Sequence, residues 1–239
     1  MRRLVNLLRL IGNAAAGRRQ LRRRSRGVSG IGAALDLSFS FRSGRLSIVP
    51  VQIRSEIEGL LDLLAVEPPR TVLEIGTWNG GTLYLLARVA APDALLVTVD
   101  IDGGPGARLG RLSPVGLLCT GCAASGQRVV PLLRRDSHAP ATLAEIERTL
   151  GRRPVDLLFI DGDHSYDGVR SDYEAYGRLV RPGGLIAFHD IVPGAPEGVG
   201  DVPRFWRELK RDHDVVELVA SWDQGGLGIG VVRVPGSSA

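Results

Sequence analysis

Apolar positions along this chain follow two periods, and the switches between them mark its elements. From Gln52 to Leu64 they recur at i, i+3, i+4 and i+7, which predicts an amphipathic helix ended near Pro68-Pro69. Thr71–Ile75 reads as a short buried strand, followed by a glycine loop and a helix over Thr82–Ala90. Leu95–Asp100 is a second strand, ending in an acid. Residues 103–126 are rich in glycine, hold Pro105 and Pro114, and carry no strong period; they read as a long loop. Gln127–Leu133 is a third strand, with Pro131 pointing to an edge or an irregularity. A helix over Ala141–Leu150 leads to Val155–Asp161, an apolar run expected of a strand covered on both faces. A helix over Tyr166–Val180, a tight turn at Arg181-Pro182-Gly183-Gly184 and a strand over Leu185–Phe188 come next. A helix near Val202–Lys210 and two terminal strands close the pattern. Steady alternation of strand and helix predicts an α/β fold: a doubly wound, mostly parallel, seven-stranded sheet with helices on both faces.

The N-terminal part differs. Leu4, Leu7, Leu8 and Ile11 fall at helical spacing, while Gly17–Gly30 is Arg, Gly and Ser and reads as a flexible basic linker. Residues 1–45 are therefore expected to form a basic helical extension, and 46–239 the folded domain. The first thirty residues hold nine arginines and no acid. Removing those nine charges from the net +4 leaves −5 on the rest, so the basicity belongs to the extension. That balance argues against nucleic acid as a partner, since a phosphate backbone is met by a basic fold. The basic helix suits peripheral contact with anionic lipid, or else a solvated tail or a helix packed on a partner subunit, including a homo-oligomer. The start is a poor match to a secretory signal, because Asn6 and Arg9 interrupt its apolar run; an Arg-rich, acid-free start also resembles a mitochondrial presequence. No apolar run is long enough to span a bilayer, and the expected location is cytoplasmic, with membrane association through the extension. Cys119 and Cys122 form one CxxC without a second pair, too few for a tetrahedral zinc site on their own.

In a Rossmann-like sheet of this kind ligands bind beyond the carboxyl ends of the strands. Candidate chemistry sits there. Glu74-Ile75-Gly76-Thr77-Trp78-Asn79-Gly80-Gly81-Thr82 has glycines for a tight turn and for a helix start, but Trp78 stands where a dinucleotide fingerprint has its middle glycine. A pyrophosphate would lose its closest approach, whereas an acid at Glu74 suits a ligand with a cationic amine. Asp100 ends the second strand, where a carboxylate can accept ribose hydroxyls; Asp102 competes for that role. Asp161 and Asp190 end neighbouring strands, with His164 and His189 beside them. Strand ends about 4.8 Å apart can share one divalent ion, and the set Asp161, His189 and Asp190 would favour Mg²⁺ or Mn²⁺, imidazole tilting it toward softer metals. The competing reading gives Asp163, Ser165 and Asp190 turn and cap roles.

Together Gln52-Ile53, the motif around Gly76, the run Asp161-Gly162-Asp163-His164-Ser165-Tyr166, the run Gly200-Asp201-Val202-Pro203-Arg204-Phe205-Trp206, and Trp222-Asp223-Gln224-Gly225-Gly226-Leu227-Gly228-Ile229-Gly230 resemble a bacterial family of class I methyltransferases dependent on S-adenosylmethionine (SAM), with cephalosporin hydroxylase-like and macrolide sugar O-methyltransferase relatives. The resemblance runs from about Gln52 to Val234. It implies a SAM site at Glu74, Gly76, Thr77, Gly80 and Asp100, with Asp136 and Ser137 bordering the adenine. It implies a general-base histidine at His164, acting with Asp161, and a metal-assisted transfer to a hydroxyl of a small molecule. Metal-using relatives carry an acid pair where this chain has His189-Asp190, which leaves the metal open. The loop 103–126 and residues Trp222–Gly228 are candidates for the substrate wall; Trp206 and Trp222 could stack on a substrate ring, a core role being favoured for Trp206. Two alternatives stay open: an oxidoreductase using NAD on a related sheet, and a non-catalytic SAM-fold protein whose basic tail binds membrane or a partner.

Overall fold

The structure, a computed structural model, describes residues 2–44, 46–101 and 114–236. It opens with helices α1 (Arg2–Ser25) and α2 (Gly30–Ser40) and two short paired strands, β1 (Arg42–Ser43) and β2 (Leu46–Ser47). Then follow α3 (Arg54–Val66), β3 (Thr71–Ile75), α4 (Gly81–Val89), β4 (Leu95–Asp100), α5 (Pro114–Cys122) and β5 (Arg128–Leu133). The second half runs α6 (Pro140–Leu150), β6 (Val155–Ile160), α7 (Tyr166–Gly177), β7 (Val180–His189), α8 (Pro196–Val199), α9 (Val202–Leu209), β8 (Val215–Leu218) and β9 (Ile229–Arg233).

Seven strands form one sheet in the order β5-β4-β3-β6-β7-β9-β8. Neighbours from β5 to β7 are parallel, and β9 inserts antiparallel between β7 and β8. From β3 the chain winds outward through β4 and β5, then returns to the other side of β3 with β6 and β7. That reversal is the switch point at which a doubly wound sheet opens a crevice. Because side chains alternate across a strand, Val72, Leu96, Leu157 and Phe159 face one core with α3, α4 and α5, and Leu73, Val97, Leu158 and Ile160 face the other with α6, α7 and α9. Pro131 lies on β5, which pairs only with β4, so its missing N–H costs no ladder bond on the outer side.

Three local expectations are corrected. The stretch from Gly17 is not a linker: α1 continues through it to Ser25, and α2 starts at Gly30. Arginine, leucine and glutamine are good helix formers, and Ala14, Gly17 and Leu21 turn a buried face toward the body of the protein. Part of the supposed 103–126 loop is helix α5, whose buried Leu118, Cys119 and Cys122 join the core. Here α1 and α5 cross closely: a Cβ at Gly121 would lie 2.9 Å from the Arg18 stem, and one at Gly17 3.2 Å from Ser43 Oγ. The remainder of that loop up to residue 113, with Asp102, lies outside the described residues. Finally, β7 runs unbroken from Val180 through the Pro182-Gly183-Gly184 segment, with the irregularity absorbed as a register shift between Val155 and Leu157 of β6. Among the described residues no helix is long and apolar enough to cross a membrane.

Candidate active site

A cleft of about 820 Å³ opens at the carboxyl ends of β3, β4, β6 and β7. Gly76, Asp100, Asp136, Ser137, Asp161, His164, His189 and Asp190 all line it. Glu74, Thr77 and Gly80 are absent from its walls and lie behind them.

The turn after β3 is fixed by backbone bonds. Gly76 N–H donates to the Val99 carbonyl at 2.8 Å, and Asp161 N–H donates to the Ile75 carbonyl at 2.8 Å. Gly76 sits at φ +92°, and a Cβ there would lie 1.9 Å from the Asp161 carbonyl oxygen. Only glycine lets β3 and β6 close on each other at this point. Asp100 Oδ2 accepts from the amides of Thr77 at 3.0 Å and Trp78 at 2.8 Å, so one oxygen of the expected ribose acceptor also pins the loop. Trp78 itself takes a left-handed conformation at φ 46° and is exposed.

Glu74 has no exposed surface. Its Oε2 accepts from Thr98 Oγ1, which is 2.5 Å from Thr77 Oγ1, and its Oε1 has no hydrogen-bond partner among the described residues. Burial pushes this carboxyl up to about 8, against the bond from Thr98 that favours ionisation. Gly80 backs onto α5: a Cβ there would stand 3.3 Å from Cys119 Sγ. Both thiols are free and buried, and burial pushes Cys122 up to about 12, the condition of an inert thiol.

On the β5 side, Asp136 Oδ1 accepts from the His138 amide at 2.9 Å, and the Ser137 carbonyl accepts from Tyr176 Oη at 2.5 Å. His138, which the sequence reading passed over, also lines the cleft, with Nε2 3.2 Å from the Gly168 carbonyl.

The centre of the cleft is a four-residue cluster. Asp161 follows β6 and Asp190 follows β7, the latter at φ 64°. One oxygen of each, Asp161 Oδ1 and Asp190 Oδ2, lies 3.2 Å from His189 Nδ1. The same two oxygens lie 3.6 Å and 3.5 Å from His164 Nε2. His164 Nδ1 is 2.5 Å from the Gly198 carbonyl, which can only accept, so Nδ1 carries the hydrogen and Nε2 faces the carboxylates. The short helix α8 that carries Gly198 is held there by Asp201 N–H just beyond it, which donates to the His164 carbonyl at 2.8 Å. The ligand atoms of Asp161, His164 and Asp190 lie within 4.8 Å of one another, a set able to hold a metal ion. His189 is packed beneath them, its Nε2 buried without a partner.

These charges set one another. Burial works to raise the Asp161 carboxyl, but His189 and His164 outweigh it and hold it well below the usual carboxylate range. The bond to Asp161 pushes His164 up to about 9 against its own burial. Burial pulls His189 down, yet the Asp161 and Asp190 carboxylates prevail and push it up to about 10.

One supporting residue stood in a segment that carries the resemblance but was given no role there. Buried Gln52 donates from Nε2 to Asp161 Oδ2 at 3.2 Å and accepts from Thr82 Oγ1 at 2.8 Å. It orients the carboxylate from 109 positions away, a pairing that no local pattern signals. Asp163 and Ser165 do the turn chemistry that composition allowed: Asp163 Oδ1 accepts from the Ser165 amide, and Ser165 Oγ caps α7 by accepting from Gly168 N–H. Trp206 is buried, its indole N–H donating to Glu217 at 2.7 Å, so its place is in the core. Trp222 is exposed, with Lys210 Nζ 5.6 Å from its ring centre, while Gly225, Gly226 and Leu227 of the same segment reach the cleft wall.

Comparison with known proteins bears directly on this cleft. Residues 73–191 match the family model described as a methyltransferase domain. The fold is similar to that of the O-methyltransferase TomG from Streptomyces achromogenes, involved in tomaymycin synthesis and solved with SAM: 24% identity, 89% of this chain and 94% of that one, TM-score 0.55. It is similar to the O-methyltransferase from Bacillus cereus solved with S-adenosylhomocysteine (SAH): 21% identity, 88% and 94%, TM-score 0.56. It is also similar to a cofactor-bound protein from MTB: 25% identity, 90% and 94%, TM-score 0.54. Among curated proteins, a 36-residue stretch is 50% identical to an uncharacterized protein of Acanthamoeba polyphaga mimivirus, and covers 15% of this chain and 16% of that relative. The match makes residues 73–191 a methyltransferase domain, and seven strands in this order, with a cleft at their switch point, form the Rossmann-like sheet of SAM-dependent methyltransferases.

Proposed function

We propose that this enzyme transfers the methyl group of SAM to a hydroxyl of a small molecule of sugar or natural-product type, with the help of a divalent cation. The observation that carries the proposal is the convergence of Asp161, His164 and Asp190 in the same cleft as the Gly76 turn. The likeness to O-methyltransferases from Streptomyces achromogenes and Bacillus cereus supports oxygen as the acceptor atom.

SAM, when bound, supplies a methyl group already activated on a sulfonium. The residues fit it: Gly76 brings bare backbone to the cleft wall, and Asp100, Asp136 and Ser137 offer polar groups along it. Glu74, Thr77 and Gly80 act from behind, shaping the loop. A divalent ion, when bound, would supply positive charge that lowers the pKa of an acceptor hydroxyl. The donor set fits it as well: the Asp161 and Asp190 carboxylates would hold the ion, with the His164 imidazole beside them left to take a proton. In this reading His164 takes the base position, and His189 steadies the two carboxylates.

His164 is the general base. Its Nδ1–H is committed to the Gly198 carbonyl, so a proton can be taken only at Nε2. In the free protein Asp161 and Asp190 hold that nitrogen protonated. Neutralising those two carboxylates frees it to accept the hydroxyl proton. Alignment of the acceptor oxygen by the cleft walls contributes the rest of the rate.

A second reading has its own observation. His189 Nδ1 bridges the same two carboxylate oxygens at 3.2 Å, so an imidazolium can balance their charge without a metal. Calorimetric titration with SAM and SAH, with and without Mg²⁺ or Mn²⁺, separates the two. Micromolar binding of either ligand with a metal-dependent change supports the metal-assisted reading; binding indifferent to metal and chelator supports the second. No binding under any condition overturns both. His164→Ala and Asp161→Ala are each expected to abolish transfer while leaving SAM affinity largely intact.

A further inference from the structure

We propose that the arginine face of α1 docks this protein on an anionic lipid surface. Arg19, Arg22 and Arg23 lie at helical spacing on α1, with Arg26 one residue past its end, and all four are exposed. The opposite face, Ala14, Gly17 and Leu21, is buried. Among the described residues none of these arginines makes an ion pair or a hydrogen bond with a side chain. Their helix carries no acid, and the first acid of the chain, Asp36, is engaged by Arg54 at 2.8 Å. An isolated row of unpaired guanidinium groups on a rigid helix repels itself. It is stabilised when a surface of opposite charge covers it.

The choice of partner follows from charge and composition. A second copy of α1 would set arginine against arginine, so self-association through this face is disfavoured. Duplex nucleic acid would bring its phosphates against a remainder that carries −5. An anionic bilayer presents a plane, which matches four guanidinium groups on one face of the last two turns of α1 and just beyond it, over about 10 Å. In sequence the same helix begins with Leu4, Val5, Leu7, Leu8, Leu10 and Ile11, and interfacial helices combine such apolar residues with basic ones. The platform is joined firmly to the catalytic body. Leu21 packs in the same core as α4, Ser25 Oγ is 3.3 Å from Tyr84 Oη, and α4 starts at the glycine loop of the cleft.

Co-flotation of the full chain with vesicles tests this. Phosphatidylcholine vesicles containing phosphatidylglycerol should carry the protein, and high salt should release it; phosphatidylcholine alone should not carry it. Replacing Arg19, Arg22, Arg23 and Arg26 together by Gln should weaken partitioning by more than roughly a hundredfold, at about fivefold per basic residue. SAM affinity should stay unchanged, because the four side chains are remote from the cleft. If that variant fails to fold, Arg19→Gln with Arg23→Gln, and Arg22→Gln with Arg26→Gln, replace it, each pair costing roughly twenty-fivefold. The proposal is overturned by failure to float with anionic vesicles, by equal flotation with neutral ones, or by folded variants that float like the parent. Retardation of duplex DNA without vesicle binding would assign the face to nucleic acid instead. Loss of SAM binding in the parent would instead count against the cleft reading and leave the lipid result to stand alone.

Discussion

Two residues at the floor of the cleft show how little freedom the chemistry has. Gly76→Ala places a methyl group 1.9 Å from the Asp161 carbonyl, at a φ that L-residues rarely adopt. Either β3 and β6 separate or the turn changes shape, and both displace Asp161. A loss of roughly 2–4 kcal/mol in stability is expected from the strain and overpacking, read by urea denaturation, together with loss of SAM binding. Gln52 makes a gentler case. Gln52→Leu keeps volume but removes the donor that orients Asp161 Oδ2 and leaves Thr82 Oγ1 without its acceptor. Partners of this kind behind a reactive or metal-binding carboxylate are worth about 10–100-fold in affinity or rate. The expected result is a Mn²⁺ affinity and kcat lowered by that factor, with KM for SAM little changed. A fall in thermal stability with metal affinity intact would reduce Gln52 to a packing residue.

At the scale of elements, Glu74 couples β3 to β4 and makes the free fold sensitive to pH. Its folded pKa, about 8, lies above the 4.5 of a free glutamate carboxyl, as in the unfolded chain. Between those values the folded state holds a proton that the unfolded state has released, so stability is greatest below about 4.5 and falls as pH rises toward 8. The slope from this one group approaches ~1.4 kcal/mol per pH unit within that window. Glu74→Gln should flatten the denaturation midpoint between those limits; an unchanged slope would mean that the carboxyl ionises normally. Glu74 also marks what could be read from the chain. Its place at a strand end was legible, because Thr71–Ile75 is an uninterrupted buried run. Its separation from the cleft was not, because side-chain parity decides that, and Thr98 across the sheet completes its surroundings. The same division holds for helices. Strong 3.6 periodicity in α3, α4 and α6 gave their existence away within a residue or two. The second half of α1 and all of α5 bury small residues, Ala14, Gly17, Cys119 and Cys122, whose weak hydrophobic signal is lost among Arg, Gly and Pro. At the site, the strand-end carboxylates and His164 were legible from motif position. The meeting of His164 with Asp190, and the hold of Gly198 on its Nδ1, depend on how the 195–201 segment folds back over β7, which no local pattern encodes.

For the whole molecule, the question is whether the N-terminal extension is an appendage or a load-carrying part of the fold. Leu21 of α1, Leu35 of α2 and Phe41 are fully buried, and all belong to the cluster that also holds Leu60 and Leu61 of α3, Leu83–Leu86 of α4 and Phe159 of β6. Beyond them the chain reaches the cleft itself: the Ile48 carbonyl approaches Gly81, Asn79 Nδ2 donates to the Val49 carbonyl at 2.9 Å, and Val51 lines the wall. Removing residues 1–41 would uncover one face of α4 and α5, and with it the support behind Gly80. Each large side chain lost from a buried site forfeits about 1.5–3 kcal/mol, and the three named above together match a large share of the total stability of a domain. A chain beginning at Arg42 is therefore expected to melt well below the parent and to bind SAM weakly, even though every residue proposed for catalysis is retained. An intermediate variant discriminates further. Leu21→Ala with Leu35→Ala keeps the arginine face and the whole length but hollows the contact, and should lower the melting temperature while leaving vesicle binding in place. If the truncated chain instead melts like the parent and binds SAM with equal affinity, the two helices are a detachable arm, and their packing on α4 and α5 contributes nothing to the catalytic fold.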